Sequence, residues 1–418
     1  MAQHLQSLRG TSWGPLQAWL QKRAPGAAAK HQARLTQSRA PTASWRLCSS
    51  LRAISSSAPS SAADQASVAT SHVQGRGAQE TRSRASFPHN TPYGKELKLL
   101  QHVLDTAQPG EPESVCAAIE SFGNDVAGPS NAWLKIAGDQ KSDVLTTSVS
   151  RARPGGSILE IGTYCGYSAI RMAMACPGVH ICSLEVDPVH VVIARNVIAF
   201  AGLAHMIDVW TGHSKDLIPR LAVRFNLPGK EKRLVAGAVF MDQRGSRYNE
   251  DLTELERYGL LLPGAVVVAD NVLKPGAPLF LWRVCMGGGY ETQVVRVKEF
   301  AMPSEDWMSV SVLQRQLTPA EDPEALYREL AEPSEDQQAK RLRREEEPAW
   351  MKAPALLQQL ETEADRMRDR ATRPGRSVTF SEWSAFAGKM RDRFAEAGIM
   401  ATLDAREFVI EFGSMEKK

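Results

Sequence analysis

Apolar residues along this chain fall into two textures. Between Thr91 and about Leu317, short apolar runs rich in β-branched residues alternate with segments whose apolar positions recur every three to four residues. The runs are SILEIG (157–162), HICSLEV (180–186), MIDVWTG (206–212), AGAVFMD (236–242) and AVVVAD (265–270). A continuous apolar run bounded by turn residues is how a strand buried on both faces reads, and its alternation with helical segments is the mark of βαβ units. The intervening helical segments include SAIRMAMA (168–175), PVHVVIARNVIAFAG (188–202) and NEDLTELERYGLL (249–261). The pattern predicts five parallel strands with crossover helices. Two further runs, YETQVVRVK (290–298) and MSVSVLQRQL (308–317), have no helix between them and predict an antiparallel pair at one edge, seven strands in all. Upstream, KELKLLQHVLDTA (95–107) and PESVCAAIESF (112–122) predict helices packed over the sheet.

The flanks differ. From Met1 to about Phe87 the chain is rich in Ser, Ala, Gln and Arg, its first acidic residue is Asp64, and basic residues run from Arg9 to Arg52. That is the composition of a mitochondrial or plastid targeting segment, with Leu5, Leu8, Trp13, Leu16, Trp19 and Leu20 available for one face of an amphipathic helix. A disordered extension with no address is the plainer alternative. Residues 318–354 are charged and interrupted by prolines, as a solvated connector is. Residues 355–418 regain apolar positions, among them Trp383, Phe386, Met390, Phe394 and Ile399, and read as a small helical accessory unit carrying no catalytic motif.

Composition narrows the partners. The chain has 418 residues, and 50 basic against 47 acidic side chains leave a net charge of +3, too balanced to attract nucleic acid or an anionic membrane. No apolar stretch is long enough to span a bilayer. The 6 cysteines lack metal-binding or redox spacing and read as reduced, mostly structural thiols.

The candidate chemistry sits where the runs end. After the first strand comes Glu160-Ile161-Gly162-Thr163-Tyr164-Cys165-Gly166-Tyr167-Ser168, an ExGxxxG turn from strand into helix. A dinucleotide loop would need a GxGxxG spacing for its pyrophosphate; this one instead fits the amino-acid end of S-adenosylmethionine, although a glycine turn made for packing reads the same way. Glu185-Val186, ending the second run about twenty residues on, places an acid where ribose hydroxyls are bound, or simply exposes a carboxylate at a strand end. Ser214 and Lys215 follow the third strand and either border an adenine ring or cap a helix. Asp242 ends the fourth run, and Asp270 and Asn271 end the fifth. Two carboxylates and an amide, with no His or Cys, are hard oxygen ligands suited to Mg²⁺; capping and cofactor contacts are the competing readings.

The segments TPYGKELKLLQHVLDTAQPGEPESV, AGDQKSD, LEIGTYCGYSAIRMA, FMD and ADNVLKPGAP, in that order over roughly 91–315, resemble the catechol O-methyltransferase family. The resemblance implies an α/β, Rossmann-like methyltransferase fold with a mostly parallel seven-stranded sheet flanked by helices, and a methyl transfer from S-adenosylmethionine to a hydroxyl of a small catechol chelated by Mg²⁺. By that resemblance Asp242, Asp270 and Asn271 hold the metal, while Glu160, Gly162, Gly166, Ala137, Tyr164 and Ser168 form the methionine end of the cofactor site. Glu185 and Val186 take the ribose, Ser214 and Lys215 the adenine. Glu299 meets a substrate hydroxyl, with Trp133 and Pro275 gating the slot. One position departs: the family's lysine base falls on Gly245, and Arg244 stands where an aromatic gatekeeper is found. An arginine stays protonated and is a poor base, but it could stabilise a phenolate or attract an acidic acceptor. Another phenolic acceptor, or a catalytically degenerate binding protein, are the alternatives that this departure leaves open.

Overall fold

The computed structural model describes residues 92–127, 133–152, 155–226, 234–302, 304–314, 354–373 and 378–409. The expected extension over 1–87 lies outside them, as does the connector over 318–354 apart from Pro354.

The apolar runs become strands β1 (Ser157–Ile161), β2 (Ile181–Glu185), β3 (Ile207–Thr211), β4 (Ala236–Met241) and β5 (Leu261–Ala269), followed by β6 (Tyr290–Lys298), β7 (Glu305–Leu313) and β8 (Leu403–Asp404). They form one sheet in the order β3-β2-β1-β4-β5-β7-β6-β8. β1 to β5 are parallel, and β7 pairs antiparallel with both β5 and β6, so the later strands extend the β5 side of the sheet. The expected count of seven is corrected to eight. Thr402 donates its backbone N–H to the Val294 carbonyl at 2.7 Å, and this brings Leu403–Asp404 alongside β6 in parallel. A two-residue strand carries no periodicity to read.

Helices α1 (Gly94–Thr106) and α2 (Pro112–Ser121) lie where the pattern places them, and α3 (Gln140–Ser150) precedes β1. The third is hard to see in sequence because Lys141, Ser142 and Ser148 are buried on its inner face beside Val144, Leu145 and Val149. The crossovers are α4 (Tyr167–Ala175), α5 (Pro188–Phe200), α6 (Ser214–Asn226) and α7 (Tyr248–Arg257), with α8 (Pro278–Met286) after β5. Asp187 starts α5 by accepting the Val189 N–H at 2.8 Å, with Pro188 in the first turn where no N–H is needed. No helix among the described residues is long and apolar enough to cross a membrane.

Two more helices, α9 (Ala355–Thr372) and α10 (Phe380–Glu396), form a C-terminal hairpin. A capping box between Thr379 and Glu382 begins α10. Leu357, Leu360, Ala364, Met390 and Phe394 are buried in the same apolar core as β4, β5 and α8. The hairpin is therefore part of the main body.

Strand order reverses between β1 and β4, and in open α/β sheets the crevice at the carboxyl ends of such strands is where ligands bind. Gly162 stands at that point with φ 103°, and a Cβ there would lie 2.4 Å from the carbonyl oxygen of Asp242. Only glycine lets the loop after β1 pass so close under the end of β4.

Candidate active site

The loop after β1 is tied down by one side chain from the next strand. Oε2 of Glu185 accepts the backbone N–H of Thr163 at 3.2 Å and of Tyr164 at 2.8 Å, while Oε1 accepts that of Asp187 at 2.8 Å. Burial opposes ionisation of Glu185, but His190 and these N–H donors outweigh it and hold the carboxyl below its ordinary range. Tyr164 has φ 50° and sends its hydroxyl to Glu96 of α1 at 2.8 Å, so α1 braces the loop from the other side. Glu160 is fully buried, accepting the Ser168 hydroxyl at 2.5 Å and the Ser183 hydroxyl. Burial pushes its pKa up to about 7 in spite of both donors.

Between this loop and the end of β4 lies a small open cavity, lined by Lys135, Ala137, Thr163, Tyr164, Ser168 and Asp242 among others. Ala137, Tyr164, Ser168 and Asp242 of the expected cofactor residues thus line one cavity, with Gly162 and Gly166 in the loop that borders it. Glu160 reaches the cavity only through Ser168. Val186 is half exposed beyond Glu185, and Lys215 is exposed at the start of α6. Ser214 donates to Asp251 of α7 at 2.6 Å, and Asp251 also accepts Gln243 at 2.9 Å, linking the loops after β3 and β4.

On the far side of Asp242 is a buried ionic cluster. Lys141 of α3 sits 2.9 Å from Asp270, 3.0 Å from Glu299 and 2.9 Å from Asp306, and Lys274 sits 3.1 Å from Glu299. Asn271, held at φ 57°, donates its side-chain amide to Asp306 at 2.9 Å, leaving its carbonyl oxygen as the atom with ligand capacity. Burial works against the Lys141 ammonium, yet its three carboxylates hold its pKa well above the ordinary value. Glu299 is likewise kept below its usual range by Lys141 and Lys274 against the effect of burial. The remaining pair is only partly compensated by Lys141. Burial and the Asp270 charge push Asp242 well above the normal carboxyl range, and burial raises Asp270 to about 6 even beside Lys141. With all four carboxyls of Asp242, Asp270, Glu299 and Asp306 ionised against Lys141 and Lys274, the cluster would be two positive charges short of neutral, and burial together with that repulsion is what raises Asp242 and Asp270. That deficit is the charge of one divalent cation, and the donors are hard oxygens.

The loop after β4 is held differently. Arg244 pairs with Asp365 at 3.1 Å and Asp369 at 2.9 Å, both on α9. Gly245 is buried: a Cβ there would lie 2.6 Å from the Gly276 carbonyl oxygen and 2.8 Å from the Arg368 guanidinium. Arg368 donates to that same Gly276 carbonyl at 3.1 Å and pairs with Asp365 at 2.8 Å. Trp133 donates to the Phe300 carbonyl at 3.2 Å, and Pro275 is half-buried in the turn after β5.

Sequence reasoning did not find Lys135, Lys141, Lys274, Asp306 or Arg368. Lys135 lies in the irregular segment before α3, exposed to the cavity mouth, yet protein crowds its amine and, with Lys95, holds its pKa below the ordinary lysine value. Its only sequence signal is its position two residues before Ala137. For Lys141 the signal was a lysine inside an otherwise inward-facing helical stripe.

A profile of the O-methyltransferase family matches residues 139–279. The catechol O-methyltransferase of Mus musculus is 36% identical over 206 residues, covering 49% of this chain and 73% of that protein. The catechol O-methyltransferase of Bos taurus is 38% identical over 188 residues, covering 45% of this chain and 65% of its own length. Among solved structures, an O-methyltransferase from Bacillus cereus in complex with SAH aligns over 52% of this chain and 90% of that one, at 22% identity and a TM-score of 0.36.

Proposed function

The chain belongs to the catechol O-methyltransferase family and is an S-adenosylmethionine-dependent O-methyltransferase; from that premise we propose that its acceptor is a catechol chelated by Mg²⁺. The observation that carries the proposal is the mutually repelling pair Asp242 and Asp270, only partly neutralised by Lys141, with Asn271 next in the chain and Asp242 lining the cavity that Tyr164 and Ser168 also line.

Asp242, Asp270 and Asn271 would hold the cation, which supplies charge stabilisation of the ionised acceptor oxygen. The cofactor supplies the methyl group as a sulfonium. The rest belongs to the chain. The loop after β1, fixed by Glu185, would present Tyr164 and Ser168 to the cofactor's amino-acid end, and Asp242 lines the same cavity, where an acceptor oxygen would be brought to the methyl group. Lys141 and Asp306 immobilise Asp270 and Asn271, which keeps these groups aimed without reorganisation.

Gly245 offers no base, and Lys141 and Lys274 are locked in ion pairs. Lys135 is the lysine on the cavity wall, and its crowded amine is the group placed to take the acceptor's proton. Arg244 is committed to α9, so its charge steadies the loop; direct attraction of an acidic acceptor would require breaking both ion pairs.

The test is to incubate the full chain with labelled S-adenosylmethionine and catechol, with Mg²⁺ and with a chelator. Methylated catechol only in the presence of metal is expected. No product in either condition, with cofactor binding intact, would contradict the proposal.

A further inference from the structure

The two loops that carry the proposed metal ligands are both gripped by the C-terminal hairpin. Two residues after Asp242, Arg244 is paired with Asp365 and Asp369; five residues after Asn271, Gly276 receives Arg368. Gly245 and Gly276 have no side chains to hold the helices off: a Cβ at Gly276 would meet the Met390 methyl of α10 at 2.8 Å, as one at Gly245 would meet Arg368. These are the contacts of a permanent wall. Leu357, Leu360, Met390 and Phe394 anchor it, each at 1% exposure or less.

Its inner surface is aromatic. Trp383 of α10 is buried, with its ring 6.5 Å from that of Trp133 at a 59° tilt, and the Lys274 amine lies 5.9 Å from its centroid. That amine is the partner of Glu299. Met302 and Met367 complete the cluster around Trp383. Trp383 thus stands beside both Trp133 and the Lys274–Glu299 pair, and an aromatic ring bound next to that pair would meet Trp383; ring–ring contacts at such separations are attractive when tilted or edge-on.

Resting on the assignment of an aromatic acceptor above, we infer that the α9–α10 hairpin is the outer wall of the acceptor site and that Trp383 limits the size of the ring it admits. A hydrophobic wall discriminates by the space it leaves, and one methylene too many or too few changes selectivity about 10- to 200-fold.

The experiment measures two acceptors, catechol and a catechol bearing a tert-butyl group on the ring, against the wild-type chain, Trp383→Leu and Trp383→Phe. Turnover is followed with labelled cofactor, and acceptor binding by calorimetry in the presence of the demethylated cofactor and Mg²⁺. The preference for catechol over the bulky acceptor is expected to fall about tenfold or more in Trp383→Leu and by less in Trp383→Phe, in binding as well as turnover, with cofactor affinity unchanged. If Trp383→Leu does not fold, the phenylalanine variant carries the comparison. Catechol turnover with the same preference in every folded variant overturns the wall. A shifted binding preference without turnover by any variant keeps the wall and overturns the assigned reaction; binding of neither acceptor to the wild type overturns both.

Discussion

The loop after β1 and the loop after β4 leave the same edge of the sheet, yet they are fixed in opposite ways. The first is held from nearby in sequence, by Glu185 about twenty residues on, accepting the N–H groups of Thr163 and Tyr164. The second is held from more than a hundred residues away, by Asp365 and Asp369 of α9, which pair with Arg244. The difference divides the site. Its cofactor side is set mainly within the βαβ unit, with α1 bracing Tyr164 through Glu96, and its acceptor side is assembled from segments that lie far apart in the chain. Glycine at 245 belongs to the second arrangement, because a Cβ there would meet the Gly276 carbonyl and Arg368.

Changes at these places separate the two halves. The largest effect is expected from Asp242→Asn, a drop in kcat/KM on the order of 10³ with the cofactor Kd changed only a few-fold, read by steady-state kinetics and calorimetry. Gly162→Ala attacks the junction itself: with a left-handed φ and a contact of 2.4 Å against the Asp242 carbonyl, it should cost about 2–4 kcal/mol and weaken cofactor binding, both visible in thermal melts with and without cofactor.

Lys135→Met should lower kcat about 10²-fold at neutral pH and leave the cofactor Kd unchanged. A base must be deprotonated to act, so the wild-type rate rises with pH toward the lysine's depressed pKa; the variant should lose that rise. The smallest effect is one of stability. Because the folded pKa of Glu160 is about 7, above its unfolded value, the folded chain retains a proton that the unfolded chain releases. Its contribution is thus fully present at low pH and is lost as pH rises, on the order of 1 kcal/mol per pH unit between about pH 5 and 7. Melting of Glu160→Gln across that range should be flatter than wild type.

The same division governs what can be read from the sequence. β1 to β5 were legible because strands buried on both faces are continuous apolar runs, and Asp242, Asp270 and Asn271 were legible because they end those runs. Tyr164, Ser168 and Asp242 could be placed together for the same reason, lying at the ends of strands that must be neighbours. Lys141 was hidden because a buried lysine on a helix looks like a surface position until its three carboxylates are seen converging from β5 and β7 and the turn after β6. The hairpin was hidden for a related reason: the amphipathic pattern of α9 and α10 announces that a face will be buried but not against what. Arg368 and Trp383 became site residues only through contacts with Gly276 and Trp133.

In the proposed complex both oxygens of the acceptor would be held at Asp242, Asp270 and Asn271. The most direct test compares catechol with phenol, the same ring with one oxygen removed, as acceptors for the full chain in the presence of Mg²⁺. Chelation through two oxygens predicts kcat/KM for catechol exceeding that for phenol by about 10² or more. Equal values would contradict it.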